Sequence, residues 1–228
     1  VLMPDVSADC PMAHMVTEGR IKELREKYDD LAVVCYINST AELKCQSDFC
    51  VTSSNAVKIV KALPNKNIFF IPDKNLGRYV AEQVPEKNVI LNHGYCPIHV
   101  KVSLEEVLQE KKLHPTALVL SHPECEENIL NISDYIGSTA EIIDFAKQSE
   151  KDEFIICTED GVEFELIKTN PNKKFYFTKT RPCCVDMKLN TLDKLLKVLE
   201  TEENPIEVDE ETRERALLPL NRMLELAK

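Results

Sequence analysis

Tryptophan is absent from the 228 residues, and glycine occurs only 5 times. So little glycine argues against collagen-like runs, propeller blades and flexible linkers, and no low-complexity segment takes their place. No stretch approaches the roughly 20 apolar residues that a bilayer span requires. The first residues also lack the basic-then-apolar layout of a signal peptide, so a cytoplasmic location and no membrane partner are expected. Cations are in deficit, with 28 Lys and Arg against 39 Asp and Glu, a formal net charge of -11. That balance repels a phosphate backbone and excludes nucleic acid as an expected partner. No paired CxxC or HxxxH is present, so a zinc finger is not expected either.

What remains is the composition of a globular protein of one large or two ordinary domains, 43% hydrophobic and 29% charged. Nine cysteines is an odd number. In a chain expected to be cytoplasmic they read as thiols, metal ligands or both, in preference to a disulfide framework.

The sequence repeats itself at an offset of 86. Cys10 falls on Cys96, Tyr36 on His122, Asn38 on Glu124, Asp48 on Asp134 and Ser53 on Thr139. Cys184 lies 88 beyond Cys96, and its neighbour Cys183 lies nearer to the offset, so the repeat alone leaves both as candidates. Each copy reads as strand, loop, short apolar pair, helix, strand, helix, strand and a loop with cysteine. The β-branched runs LAVVCYI, NIFFI and NVIL predict strands, and SSNAVKIVKAL and STAEIIDFAKQ predict helices behind Ser or Thr caps. Such alternation predicts an α/β fold in which parallel sheets are covered by helices on both faces. In these sheets ligands bind beyond the carboxyl ends of the strands, which is where Tyr36 to Asn38, Ser53, Cys96, His122 to Glu124, Thr139 and Cys184 fall. If the units pack about a pseudo-rotation axis, the three cysteines meet.

The repeat divides the chain into residues 1–15, the end of a first unit whose beginning is absent, then 16–98 and 99–186 as full units, and 187–228 as C-terminal helices. The opening VLMPD reads as the end of a buried strand. One terminal helix is expected to start near Asn190 or Thr191, and Pro219 to kink the last one.

The motifs SADCPMAH around Cys10, YINST from Tyr36, GYCPIH around Cys96, HPEC from His122, GST from Gly137 and CVDMK from Cys184 resemble those of the quinolinate synthase family. The stretches PDKNLGRYVAE and LPLNRML extend the resemblance over essentially the whole chain. The resemblance implies three α/β/α units around a pseudo-threefold axis with a central active site. It also implies an enzyme of NAD biosynthesis that condenses iminoaspartate with dihydroxyacetone phosphate to quinolinate, phosphate and water. Its cofactor would be a 4Fe-4S cluster held by Cys10, Cys96 and Cys184, with one iron left open as a Lewis acid. By the same resemblance the substrate-contacting residues are Tyr36, Ile37, Asn38, Ser53, His122, Pro123, Glu124 and Thr139. Glu124, Tyr36 and His122 would carry the proton chemistry.

Because iminoaspartate is unstable in water, handover from the enzyme that makes it is a further expectation. Nothing in the chain matches the family's first domain, so the isolated polypeptide is expected to be inactive or impaired. The alternative reading is a truncated, non-catalytic paralogue that binds a phosphorylated metabolite or senses through a cluster. Taken singly, Tyr36 would be strand packing, Ser53 and Thr139 helix caps, and any one cysteine a core residue. His99 reads as a loop residue or one behind the site, Cys35, Cys45, Cys50, Cys125 and Cys157 as ordinary thiols, and His93 and His114 as without a role.

Overall fold

The computed structural model describes residues 1–228 and is α/β throughout. The first of the two full units has strands β1 (Leu31–Tyr36), β2 (Phe49–Val51), β3 (Asn67–Ile71) and β4 (Asn88–Leu91), all parallel, in the order β2-β1-β3-β4. The second unit holds β5 (Leu118–Ser121), β6 (Tyr135–Ile136), β7 (Glu153–Cys157) and β8 (Lys174–Tyr176) in the order β6-β5-β7-β8. Even the register repeats. Val34 pairs with Phe49 as Leu120 pairs with Tyr135, and Ala32 with Ile68 as Leu118 with Phe154.

All six residues of β1 are buried, as expected of a central parallel strand covered on both faces. In β5 successive residues feed different faces, Val119 packing with Ile155 and Leu120 with Phe154 and Ile156. The repeated aspartates explain themselves here. Asp48 accepts the Val33 N–H at 2.7 Å and Asp134 that of Val119 at 2.8 Å, with Arg25 and Lys111 as their cationic partners. Their registration is therefore structural.

The helices of the first unit are α1 (Glu18–Lys27), α2 (Ala41–Cys45), α3 (Ala56–Ala62) and α4 (Lys74–Gln83). Those of the second are α5 (Leu104–Leu113), α6 (Glu127–Leu130), α7 (Thr139–Gln148) and α8 (Glu163–Thr169). Helices α2 and α6 occupy segments expected to be loops. Ser138 caps α7 in a capping box with Glu141, leaving Thr139 as the first helical residue. Helix α3 departs from expectation, because Asn55 is its cap residue and Ser53 lies before it in the turn.

Two helices close the chain. The first, α9 (Leu192–Thr201), is capped by the Thr191 hydroxyl, as its sequence predicts. It turns Leu192, Leu196 and Leu199 to the surface. The second, α10 (Glu210–Leu226), lies over α2 and β2 and sends Met223 into the first core. The helix runs unbroken through Pro219. At the other end the expectation of a buried strand fails. Val1 is 93% exposed, and Leu2 makes only an isolated antiparallel bridge to Pro205, so the apolar opening lies on the surface. No helix is long and apolar enough to cross a membrane.

Candidate functional site

At the carboxyl ends of both sheets lies a cavity of about 570 Å³. Three separated segments bring cysteines to it: Cys10 beside the 3-10 turn Pro11–His14, Cys96 after β4 and Cys184 after β8. All three are half-buried free thiols. Cys10 lies close enough to Cys96 and Glu124 to sense their charge, although burial is the larger cause of its raised pKa. A sulfur-rich wall contributed by distant loops suits a soft metal centre that needs several thiolates.

Of the eight candidate substrate-contacting residues, Tyr36, Asn38, His122, Glu124 and Thr139 line this cavity. Ile37 continues the sheet, its N–H donating to Val51 O at 2.8 Å. Pro123 is buried between His122 and Glu124. Ser53 is placed beside the Tyr36 hydroxyl, close enough to interact with it.

The chemistry centres on Glu124, which is 3% exposed. Its Oε2 lies 2.8 Å from His99 Nδ1 and 3.8 Å from His122 Nδ1, while its buried Oε1 has no hydrogen-bond partner. Burial opposes the carboxylate, but His99, His122 and Tyr36 together outweigh it and hold the group down at about 2. For His99 burial likewise opposes the charged form, and the Cys96 thiol and Glu124 prevail, lifting it to about 10. His99 Nδ1 is also 3.1 Å from Cys96 Sγ, and Nε2 is 3.0 Å from Thr158 Oγ1.

His122 stacks on His99 with ring centroids 4.7 Å apart, yet it shifts the other way. Burial, with the adjacent His99 charge, lowers it to about 4. Its Nδ1 accepts the Glu124 N–H at 3.3 Å, which places the proton of the neutral ring on Nε2. Tyr36 is pushed well above its usual range by burial first and Glu124 second, so its hydroxyl stays protonated. Two stacked imidazoles, one charged and one neutral, thus flank a buried carboxylate.

Sequence reasoning undervalued His99, which it placed in a loop or behind the site, and it missed Thr158. The signal available was spacing alone. His99 follows Cys96 by three residues, and Thr158 follows β7 directly. Cys35, Cys50, Cys125 and Cys157 are buried in the cores. Cys125 donates to Cys157 O at 3.2 Å, and Cys45 to Thr212 O at 3.3 Å. His114 stacks on Tyr176 with centroids 3.5 Å apart.

The chain matches the family model of the quinolinate synthetase A protein over residues 1–225. It is 56% identical to the quinolinate synthase of Fusobacterium nucleatum, across 100% of this chain and 76% of that protein. The quinolinate synthase of Caldicellulosiruptor bescii is 50% identical, over 99% of this chain and 75% of that protein. That of Clostridioides difficile is 47% identical, over 100% and 75% respectively. A match along nearly the whole length, at such identity, is decisive: the chain belongs to the quinolinate synthetase A family.

Proposed function

We propose that the chain performs quinolinate synthase chemistry, condensing iminoaspartate with dihydroxyacetone phosphate to quinolinate, phosphate and water, with Cys10, Cys96 and Cys184 holding a 4Fe-4S cluster. One observation carries this reading: three cysteines from distant segments line one cavity, beside a buried carboxylate with a free oxygen. The donor set fits the group, since three thiolates leave one iron without a protein ligand. Bound there, the cluster would supply a Lewis acid for one of the two oxygens that depart as water. The unit boundaries at 15, 98 and 186 belong to the same proposal. So does handover of iminoaspartate, which rests only on that compound's instability.

The protein's own residues supply the rest. His99 keeps its proton and directs it at Oε2 of Glu124 across 2.8 Å, which leaves the unpartnered Oε1 of the carboxylate to accept a hydrogen bond or a proton from the substrate. His122, neutral with its proton on Nε2, is suited to donate to a carbonyl or imine without transferring charge. Tyr36 donates a hydroxyl, and Asn38 adds a neutral polar group at the cavity wall. Thr139 opens α7, where free backbone N–H groups and the helix dipole favour a carboxylate or phosphate.

Anaerobic reconstitution with iron and sulfide tests the reading. The wild-type chain should turn brown and retain iron, and Cys10→Ala, Cys96→Ala or Cys184→Ala should each lose it while Cys45→Ala retains it. Cys96, His99 and Glu124 also lie with donor atoms within 4.8 Å of one another, which favours a second reading, a single divalent ion. Bound metal without sulfide would select that reading over the cluster. Binding of dihydroxyacetone phosphate without quinolinate formation would instead favour the non-catalytic paralogue.

A further inference from the structure

The offset of 86 also pairs Asp73 with Glu159. Each acid stands two residues beyond the third strand of its sheet, β3 or β7, and each uses one carboxylate oxygen to cap the helical segment that follows. Asp73 Oδ1 accepts from the N–H groups of Asn75 and Leu76 at 2.8 and 2.7 Å, and Glu159 Oε2 from Gly161 at 2.7 Å. The second oxygen reaches the loop after the fourth strand. Asp73 Oδ2 accepts the N–H of Cys96 at 2.8 Å, and Glu159 Oε1 that of Cys184 at 3.1 Å.

The neighbouring backbone repeats the link. Lys74 N–H donates to Gly94 O at 2.7 Å, and Asp160 N–H to Pro182 O at 3.0 Å. Gly94 and Pro182 differ by 88, as Cys96 and Cys184 do. The Cys183 N–H turns instead to Arg181 O, within its own loop.

We propose that Asp73 and Glu159 are positioning residues, one carboxylate latch per unit, that fix Cys96 and Cys184 at the cavity wall. By the same correspondence the latch selects Cys184 over its neighbour Cys183. As a function in cluster binding this rests on the reading above, but the latch itself is a property of the fold. A cysteine on a loop has backbone freedom that a metal site must remove, and a carboxylate holding its N–H removes it before metal arrives. The two latches are unequal. Asp73 is fully buried with three backbone donors, whereas Glu159 is partly exposed and is also held by Lys188 at 3.2 Å.

The experiment is alkylation of the metal-free chain by iodoacetamide under reducing conditions, with the rate at each cysteine read by mass spectrometry. Asp73→Asn should speed alkylation of Cys96 by about tenfold, the factor that loss of one charge-assisted hydrogen bond of about 1.4 kcal/mol gives, and leave Cys184 unchanged. Glu159→Gln should do the reverse. Glu159→Asp should restore slow reaction at Cys184, since the sister unit holds its cysteine with aspartate. If the acids serve only to stabilise their helices, the buried Cys35, Cys125 and Cys157 will accelerate as well. That pattern, or no change at the paired cysteine, overturns the proposal. Iron uptake by the wild type is scored separately. No uptake sinks the cluster while the alkylation pattern still decides the latch, and normal uptake with unaltered alkylation in the variants sinks the latch alone.

Discussion

His99 and His122 stack within one cavity, and their opposite shifts give them opposite pH signatures. A histidine held near 4 in the fold and about 6.5 when unfolded binds its proton only in the unfolded chain between those values. Stability from a neutral His122 is therefore complete above pH 6.5 and falls as the pH drops toward 4, by on the order of 3 kcal/mol. His99, held near 10, contributes below pH 6.5 and loses its contribution as the pH rises through 10. Glu124, held near 2, keeps its contribution until the pH falls below about 4.5. Within the window from 4 to 6.5 His122 makes stability rise with pH, while Asp73, lifted to about 7 by burial and the Glu124 charge, makes it fall, so the two contributions oppose each other. Urea denaturation across that window should show the stability of the wild type gaining on that of His122→Gln as the pH rises, by up to the order of 3 kcal/mol. Parallel profiles would show that His122 is not buried in its neutral form. None of this was legible in the sequence, because the shifts arise from which rings meet in the folded chain, and 23 residues separate His99 from His122.

At the scale of the element, the close approach of α4 to its sheet depends on Gly77. A Cβ there would lie 2.8 Å from Leu91 Cδ2 and 2.9 Å from the fully buried Phe70 ring. Gly77→Ala gains helix propensity but overpacks this contact, for a net loss of roughly 1 kcal/mol and a fall of about 2–4 °C in Tm, measurable by thermal denaturation. Ser138→Ala removes the capping box of α7 and should cost about 1 kcal/mol, whereas Ser53→Ala should leave helix stability untouched. The strands and α7 were legible because β-branched runs and a Ser-x-x-Glu cap are local signals. Ser53 misled because the SSN run offers several caps, and the chain places Asn55 at the cap position, its side chain accepting the Thr52 N–H at 2.7 Å and no helical N–H. The surface position of Val1 and Leu2 was equally hidden. An apolar run does not say whether a sheet is there to receive it.

In the whole molecule, two sheets with separate cores are tied together by polar groups. Asn75, 1% exposed, donates to Glu124 O at 3.1 Å from the other unit, and Arg78 of the same helix reaches Glu127 at 3.4 Å. Asn75→Ala would leave that buried carbonyl without this donor and should cost about 1–3 kcal/mol. Because the bond ties the loop of Glu124 to α4, the pH signature of His122 should weaken in the same variant, as urea denaturation at several pH values would show. The convergence of Cys10, Cys96 and Cys184 was legible from the repeat. The offset alone leans to Cys183 and the motif after Cys184 to Cys184, and the hydrogen bond from the Cys184 N–H to Glu159 is a second, geometric ground for the latter choice.

The central claim is that these three cysteines act together as the ligands of one iron-sulfur cluster. Iron and acid-labile sulfide, counted on the anaerobically reconstituted chain and on Cys183→Ala and Cys184→Ala, test it most directly. The account predicts about four of each in the wild type and in Cys183→Ala, and loss of both in Cys184→Ala. Full retention in Cys184→Ala, or metal without sulfide in the wild type, would contradict it.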